Sequence, residues 1–190
     1  MNGYFSSAAA FLIEAIFDFY MVVVLLRLIL QIVKADFYNP LSQFIVKITN
    51  PPLKPLRRVI PGVAGLDMAS ILLLFALQMA KLALTALAVG LVISLPGLAV
   101  LSVAELIALV LNVYMVSILI QIILSWVGPG TYNPVTGILY SINEPVMRPA
   151  RRIIPPISGI DLSPILVFLV IGLMKILVVS PLLDVGRSIG

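Results

Sequence analysis

The residues of this chain that could do chemistry are few, and most of them sit where charge is costly. Glu14, Asp18, Arg27, Lys81, Glu105 and Lys175, with the polar Asn112, all fall inside long apolar stretches. Glu14 and Asp18 are four residues apart and so share one helix face. Two carboxylates on one face are the raw material of acid–base catalysis, but nothing nearby marks a substrate. Cysteine and histidine are both absent. That removes thiolate nucleophiles, disulfides, Ser–His triads and the usual zinc and haem ligands together. No GxxxxGK[ST] phosphate loop occurs either. The chain is read as a non-enzyme with no cofactor and no metal.

Two uses remain for the embedded charges. They can form buried pairs that hold helices in register, or they can line an ion or proton path through a bundle or an oligomer. An unpaired charge near the bilayer centre costs at least ~2.5–3.5 kcal/mol on insertion scales, so such groups face protein or water. Counting at ~1.5 Å per residue puts Asp18 and Lys81 at similar depth, which predicts that they pair. Further along, Lys175 is expected to face Asn112, and Gln121 stands where Arg27 stood.

The elements that must position these residues follow from composition. The 190 residues are 62% hydrophobic and 11% charged, with a mean hydropathy of +1.20, whereas a soluble domain is about 25% charged. A helix needs roughly 20 apolar residues to cross a bilayer. Four stretches qualify, near residues 8–33, 69–95, 98–127 and 165–183. The first has no Lys or Arg before it and is too long for a signal peptide, so it is expected to persist in the mature protein. Pro96-Gly97 reads as the turn between the second and third spans.

Two long connections remain, and they carry Lys34, Lys47, Lys54, Arg57, Arg58, Arg148, Arg151 and Arg152, against Arg187 alone on the other side. The positive-inside rule makes the long loops cytoplasmic. Both termini are then periplasmic, in a multi-pass protein of a bacterial inner membrane.

The chain repeats itself. An offset of 94 residues superposes Tyr20 on Tyr114, Tyr38-Asn39-Pro40 on Tyr132-Asn133-Pro134, Arg57-Arg58 on Arg151-Arg152, Asp67 on Asp161 and Lys81 on Lys175. Each unit, 1–95 and 96–190, reads as helix, loop, helix. Two crossings per unit make the repeats parallel. The fold class is therefore an all-α membrane protein: four transmembrane helices in two parallel helix–loop–helix repeats, with short amphipathic interfacial helices in the long loops.

Each loop opens with an Asn N-cap and a Pro at the first helical position. Leu41, Phe44, Ile45 and Ile48, and again Val135, Ile138, Leu139 and Ile142, make an amphipathic stripe, suited to the headgroup region or to packing on the ends of the spans. Prolines 51 and 55 are expected to end that helix and shape short turns. Lys54, Arg57 and Arg58, and their counterparts Arg148, Arg151 and Arg152, are then held at the surface for contact with anionic lipid or an acidic partner. Each is worth ~1 kcal/mol at an anionic leaflet. Nucleic acid is not expected, because the basic residues are split between loops with no aromatic platform among them. Gly65 and Gly159 supply tight turns, and Asp67 and Asp161 read as N-caps of the returning helices.

The repeated Pro-x-x-x-Pro-x-Arg-Arg-x-Ile-Pro, followed by Gly-x-Asp, resembles the YggT family, also called YlmG, over nearly the whole chain and in two tandem copies. The second copy keeps the fuller ending, Asp161-Leu162-Ser163-Pro164; the first has Asp67-Met68-Ala69-Ser70. The resemblance implies a small inner-membrane protein tied to osmotic or potassium homeostasis, or to division and cell shape. Plastid relatives are associated with haem attachment to a membrane cytochrome and with nucleoid distribution. The function expected is a non-enzymatic scaffold or assembly factor that contacts membrane lipids and another membrane protein or a second copy. An oligomeric potassium or proton channel is the alternative.

Overall fold

The computed structural model describes residues 2–127, 133–156 and 161–190. Its helices are α1 (Asn2–Ile32), α2 (Pro40–Val59), α3 (Met68–Ala88), α4 (Leu95–Val127), α5 (Pro134–Ile153), α6 (Ser163–Met174) and α7 (Ser180–Ser188), with a π-helical turn over Lys175–Val179 that fuses α6 to α7. Four rods are long and apolar enough to cross a membrane: Gly3–Ile32, Met68–Ala88, Leu95–Val127 and Ser163–Ser188. This is an all-helical, multi-pass architecture.

Helix ends follow local chemistry. Asn39 accepts the Leu41 amide at 3.0 Å and Asn133 the Val135 amide at 2.9 Å, each just before a Pro at the first helical position. α3 stops at Gly90, whose φ of 76° lets the Leu91 amide reach back to the Ala86 carbonyl at 2.8 Å. That is a Schellman closure. Between α2 and α3, Val63 and Leu66 exchange backbone hydrogen bonds of 3.1 and 2.9 Å around Ala64 and Gly65, both at positive φ. The two positive φ values are those of a type I′ turn, so Gly65 sits at a true tight turn. Gly159 lies outside the described residues.

Two expectations about proline are corrected. α2 does not end at the prolines; it runs through Pro51, Pro52 and Pro55, and α5 runs through Pro145 and Pro149. Each ring withholds one amide from a carbonyl a turn earlier. Pro51 and Pro55 lie on the outward face of α2 with Lys47, where water or headgroups can take the freed carbonyls. The opposite face, Ser42, Ile45, Thr49 and Leu53, is buried and holds the helix down. Pro96-Gly97 is not the turn either. The connection spans residues 89–94, and both residues belong to the first turn of α4, where a proline costs no hydrogen bond. Gly97 is instead a packing residue: a Cβ there would meet the Gly190 Cα at 2.5 Å.

α1 packs along α3, α4 packs along α7 and the π turn, and α3 joins the halves by packing on α4. Among the described residues the fourth span rests on α4 and α5 and does not pack on α1 or α3. The four spans are thus an open array rather than a closed bundle. One core gathers Met21, Val24 and Leu28 of α1 with Ile45, Leu74, Val113 and Ile142; a second gathers Ile118, Met147, Ala150, Val167 and Ile171. The loop helices α2 and α5 feed these cores, so they pack on the ends of the spans. Elsewhere the spans present Phe11, Phe19, Leu87, Ile123 and Leu169 outward, as lipid-facing surfaces do.

Candidate functional site

Three polar clasps cross each repeat, and the 94-residue offset relates them one to one. At mid-span, Lys81 Nζ donates to Asp18 Oδ1 at 2.8 Å and Lys175 Nζ to Asn112 Oδ1 at 2.6 Å. Under the loop helices, Arg27 donates to Thr49 Oγ1 at 2.6 Å, while Asn143 donates to the Gln121 side-chain oxygen at 2.7 Å. At the elbows, the connections from α2 to α3 and from α5 to α6, Arg57 pairs with Asp67, and Arg151 pairs with Asp161 at 3.0 Å.

The mid-span clasp sits near the centre of its helices. Lys81 is buried, with 10% of its side chain accessible, but Asp18 keeps 49% of its own. Lys175 is half-buried and Asn112 lies toward the flank of α4. The amines are therefore sheltered while their acceptors open onto the flank of the molecule. Glu14 is exposed and Glu105 half-buried, and neither has an ion-pair partner among the described residues.

The middle clasp ties the spans to the loop helices. Arg27 also donates to the Val46 carbonyl at 3.2 Å. In the second repeat Asn143, fully buried, accepts from Ser117 at 2.6 Å while donating to Gln121. The sequence offered Gln121 as the stand-in for Arg27, while Ser117 and Asn143 were missed. The signal that could have found them is the pairing of Thr49 with Asn143 in the repeat alignment, two polar residues on an otherwise apolar stripe.

The elbow clasp revises the reading of the basic triplets. Arg57 is spent on Asp67, and Arg151 on both Asp161 and Glu144, the latter also at 3.0 Å. Lys54, Arg58, Arg148 and Arg152 make no ion pair among the described residues and stay available. The two aspartates are likewise more than caps. Asp67 holds the N-cap position of α3 without a capping bond from its side chain, which takes Arg57 and the Ser70 hydroxyl instead. Asp161 lies one residue before the N-cap, Leu162, and accepts the Ser163 amide at 2.9 Å. Ten residues separate each Arg from its Asp, and in the first repeat the tight turn at Ala64-Gly65 folds the elbow back and brings the pair together.

Burial alone would push the Asp67 carboxyl up; hydrogen bonds from Arg57 and Ser70 outweigh it and hold it below the usual range. The same balance lowers Asp161, with Ser163 and then Arg151 opposing burial. For Arg151, burial disfavours the charge, but Asp161 and Glu144 more than restore it and raise its pKa.

Among the described residues no group of three or more His, Cys, Asp or Glu could hold a metal ion. The clasps cross-link helices and connections within each repeat.

Comparison with known proteins gives these clasps a context. The CCB3/YggT family model matches twice, over residues 6–88 and 100–182. An uncharacterized protein of Pseudomonas aeruginosa is 42% identical over 179 residues, covering 93% of this chain and 91% of its own. The uncharacterized protein YggT of Escherichia coli K12 is 35% identical over 182 residues, covering 94% and 93%. A chloroplastic YlmG homologue of Arabidopsis thaliana is 37% identical over 65 residues, 33% of this chain and 24% of that one. No solved structure matches. With two tandem family segments spanning most of its length, the chain belongs to the CCB3/YggT family of membrane proteins.

Proposed function

We propose that the protein is a non-enzymatic scaffold or assembly factor of the bacterial inner membrane. Its elbow face is cytoplasmic, its termini are periplasmic, and its partner is another membrane protein or a second copy of itself. The observation that carries this reading is the mid-span clasp. Asp18 and Asn112, at the middle of their spans, open sideways out of the array. A polar group facing hydrocarbon is costly, and a neighbouring helix with a polar side chain would relieve that cost. The open array supports the same reading, since α1, α3 and the fourth span each keep a flank free of the others. Lys54, Arg58, Arg148 and Arg152 suit an anionic leaflet on the elbow side. The setting, osmotic homeostasis or cell division, is the one the family resemblance implies.

The channel reading needs an oligomer that brings these clasps around a path. Reconstitution in liposomes decides between them. The scaffold reading expects no potassium or proton flux, and expects a cysteine placed beside Asp18 to cross-link to a partner helix; the chain's lack of native cysteine makes that readout clean. Reproducible flux lost in Lys81→Ala and Lys175→Ala would sink the scaffold reading in favour of the channel.

A further inference from the structure

Beneath α2 lies a cavity of about 290 Å³ bounded by the end of α1, the 33–39 connection and α2. Arg27, Gln31, Ser42 and Arg57 line it among apolar residues. Arg27 is only 7% exposed and has no carboxylate partner among the described residues. Asp67 is taken by Arg57, and Asp36 of the 33–39 connection is exposed and accepts the Tyr38 amide. A buried guanidinium without an anion is costly. Ser42 is 4% exposed, and its hydroxyl is buried with no hydrogen-bond partner. The cavity thus holds a positive charge that lacks its counter-charge and a donor that lacks its acceptor.

The second repeat supplies the control. Its corresponding cavity is lined by Gln121, Ser125 and Arg151, the counterparts of Arg27, Gln31 and Arg57. Among the described residues the counterparts are answered from within the chain: Gln121 is neutral and bonded to Asn143, Arg151 is balanced by Asp161 and Glu144, and Thr136, which stands at the position of Ser42 but does not line this cavity, donates its hydroxyl to the Asn133 carbonyl at 2.7 Å. Among the described residues, a buried guanidinium without an ion pair and a buried hydroxyl without a partner come together only in the first repeat.

We propose that this first-repeat cavity binds a phosphate-group anion, either the headgroup phosphate of an anionic phospholipid or free phosphate, held by Arg27 and Ser42 with Arg57 and Gln31 at the rim. Arg27 uses one guanidinium nitrogen for Thr49 and Val46, which leaves N–H groups for the forked geometry that phosphate oxygens accept. The site does not depend on the scaffold reading and would exist equally in a channel.

The test uses the full-length protein, delipidated in a non-ionic detergent. It is titrated separately with short-chain phosphatidylglycerol, short-chain phosphatidylcholine and inorganic phosphate, and bound ligand is counted by native mass spectrometry. One saturable phosphatidylglycerol is expected, bound more tightly than phosphatidylcholine. Arg27→Gln, which copies the residue the second repeat already tolerates, should weaken it about tenfold or more, the usual worth of hydrogen bonds to a charged group. Ser42→Ala should weaken it about threefold, a smaller share of the same interaction. Competition by inorganic phosphate would support the site and make free phosphate its source; its failure to compete would support the lipid headgroup. Equal binding of both lipids, or wild-type affinity in Ser42→Ala and in any folded Arg27→Gln, would overturn the proposal.

Discussion

Lys81 reaches from α3 to Asp18 on α1, and Lys175 makes the same 63-residue reach from the fourth span to Asn112 on α4. The lysine is kept in both halves, but its acceptor is charged in one and neutral in the other. The first pair is therefore the one whose halves cannot be removed separately without stranding a charge. Asp18→Ala and Lys81→Ala are expected to lower stability in a mixed-micelle unfolding assay, and the double mutant to lose less than their sum. The coupling should be about 1 kcal/mol, within the range for residues that share one ion pair. Lys175→Ala should cost less, since Asn112 leaves no charge behind. Strict additivity at Asp18 and Lys81 would mean that the contact contributes nothing.

The elbows should make stability sensitive to acid. Both Asp67 and Asp161 are held below the ordinary carboxylate range, which is about 3.9 for a free Asp. A lowered folded-state pKa means that the ionised form favours the fold. The contribution is complete above about pH 4 and is lost as pH falls through the lowered values. The melting temperature is expected to drop in that acid window, and the drop should shrink in Asp67→Asn and shrink further in Asp67→Asn/Asp161→Asn. A wild-type acid profile unchanged by both substitutions would contradict the assignment.

Glycine packing distinguishes two positions that sequence alone treats alike. A side chain at Gly97 would run into the backbone of Gly190 and the Gly186 carbonyl, 2.5 and 3.1 Å away. Gly97→Val should cost about 1–3 kcal/mol, as overpacking does. At Gly172, within α6, a Cβ would meet no atom within 4 Å, so Gly172→Ala should be neutral or stabilise by up to about 1 kcal/mol through helix propensity. Thermal unfolding of the two variants side by side checks both.

Asn143 links α4 to α5 through Ser117 and Gln121 with no access to solvent. Asn143→Ala should cost about 1–3 kcal/mol by leaving buried polar groups unmet. Asn143→Thr, the first repeat's residue, should recover part of that loss. Faster proteolysis of the α5 segment in the alanine variant, relieved in the threonine variant, is the expected readout.

Much of this architecture is written in local pattern. Four apolar runs, the Asn-Pro openings of α2 and α5 and the 94-residue repeat all rest on short-range rules. The approach of Lys81 to Asp18 follows from depth counting, because two rods that share a bilayer must match at equal height. Sequence reasoning failed where tertiary burial overrides a local rule. Pro51 and Pro55 should break a helix, yet the buried Ile45–Thr49–Leu53 face keeps α2 whole. Arg57 and Asp67 meet only because Gly65 folds the elbow back, and no spacing along the chain announces it. Ser42 is a plain polar residue in the sequence; only the cavity around it marks it as unanswered.

The π-helical turn at Lys175–Val179 has a geometric consequence for everything after it. Such a turn absorbs about one residue more than an α-helical turn, and one residue corresponds to about 100° of rotation. The face that α7 shows to α4 is therefore rephased relative to α6. That rephasing brings Gly186 against Leu101 and the chain's last glycine against Gly97. The first repeat's returning helix, α3, carries no such turn. Two halves related by a 94-residue repeat are thus keyed differently at one end.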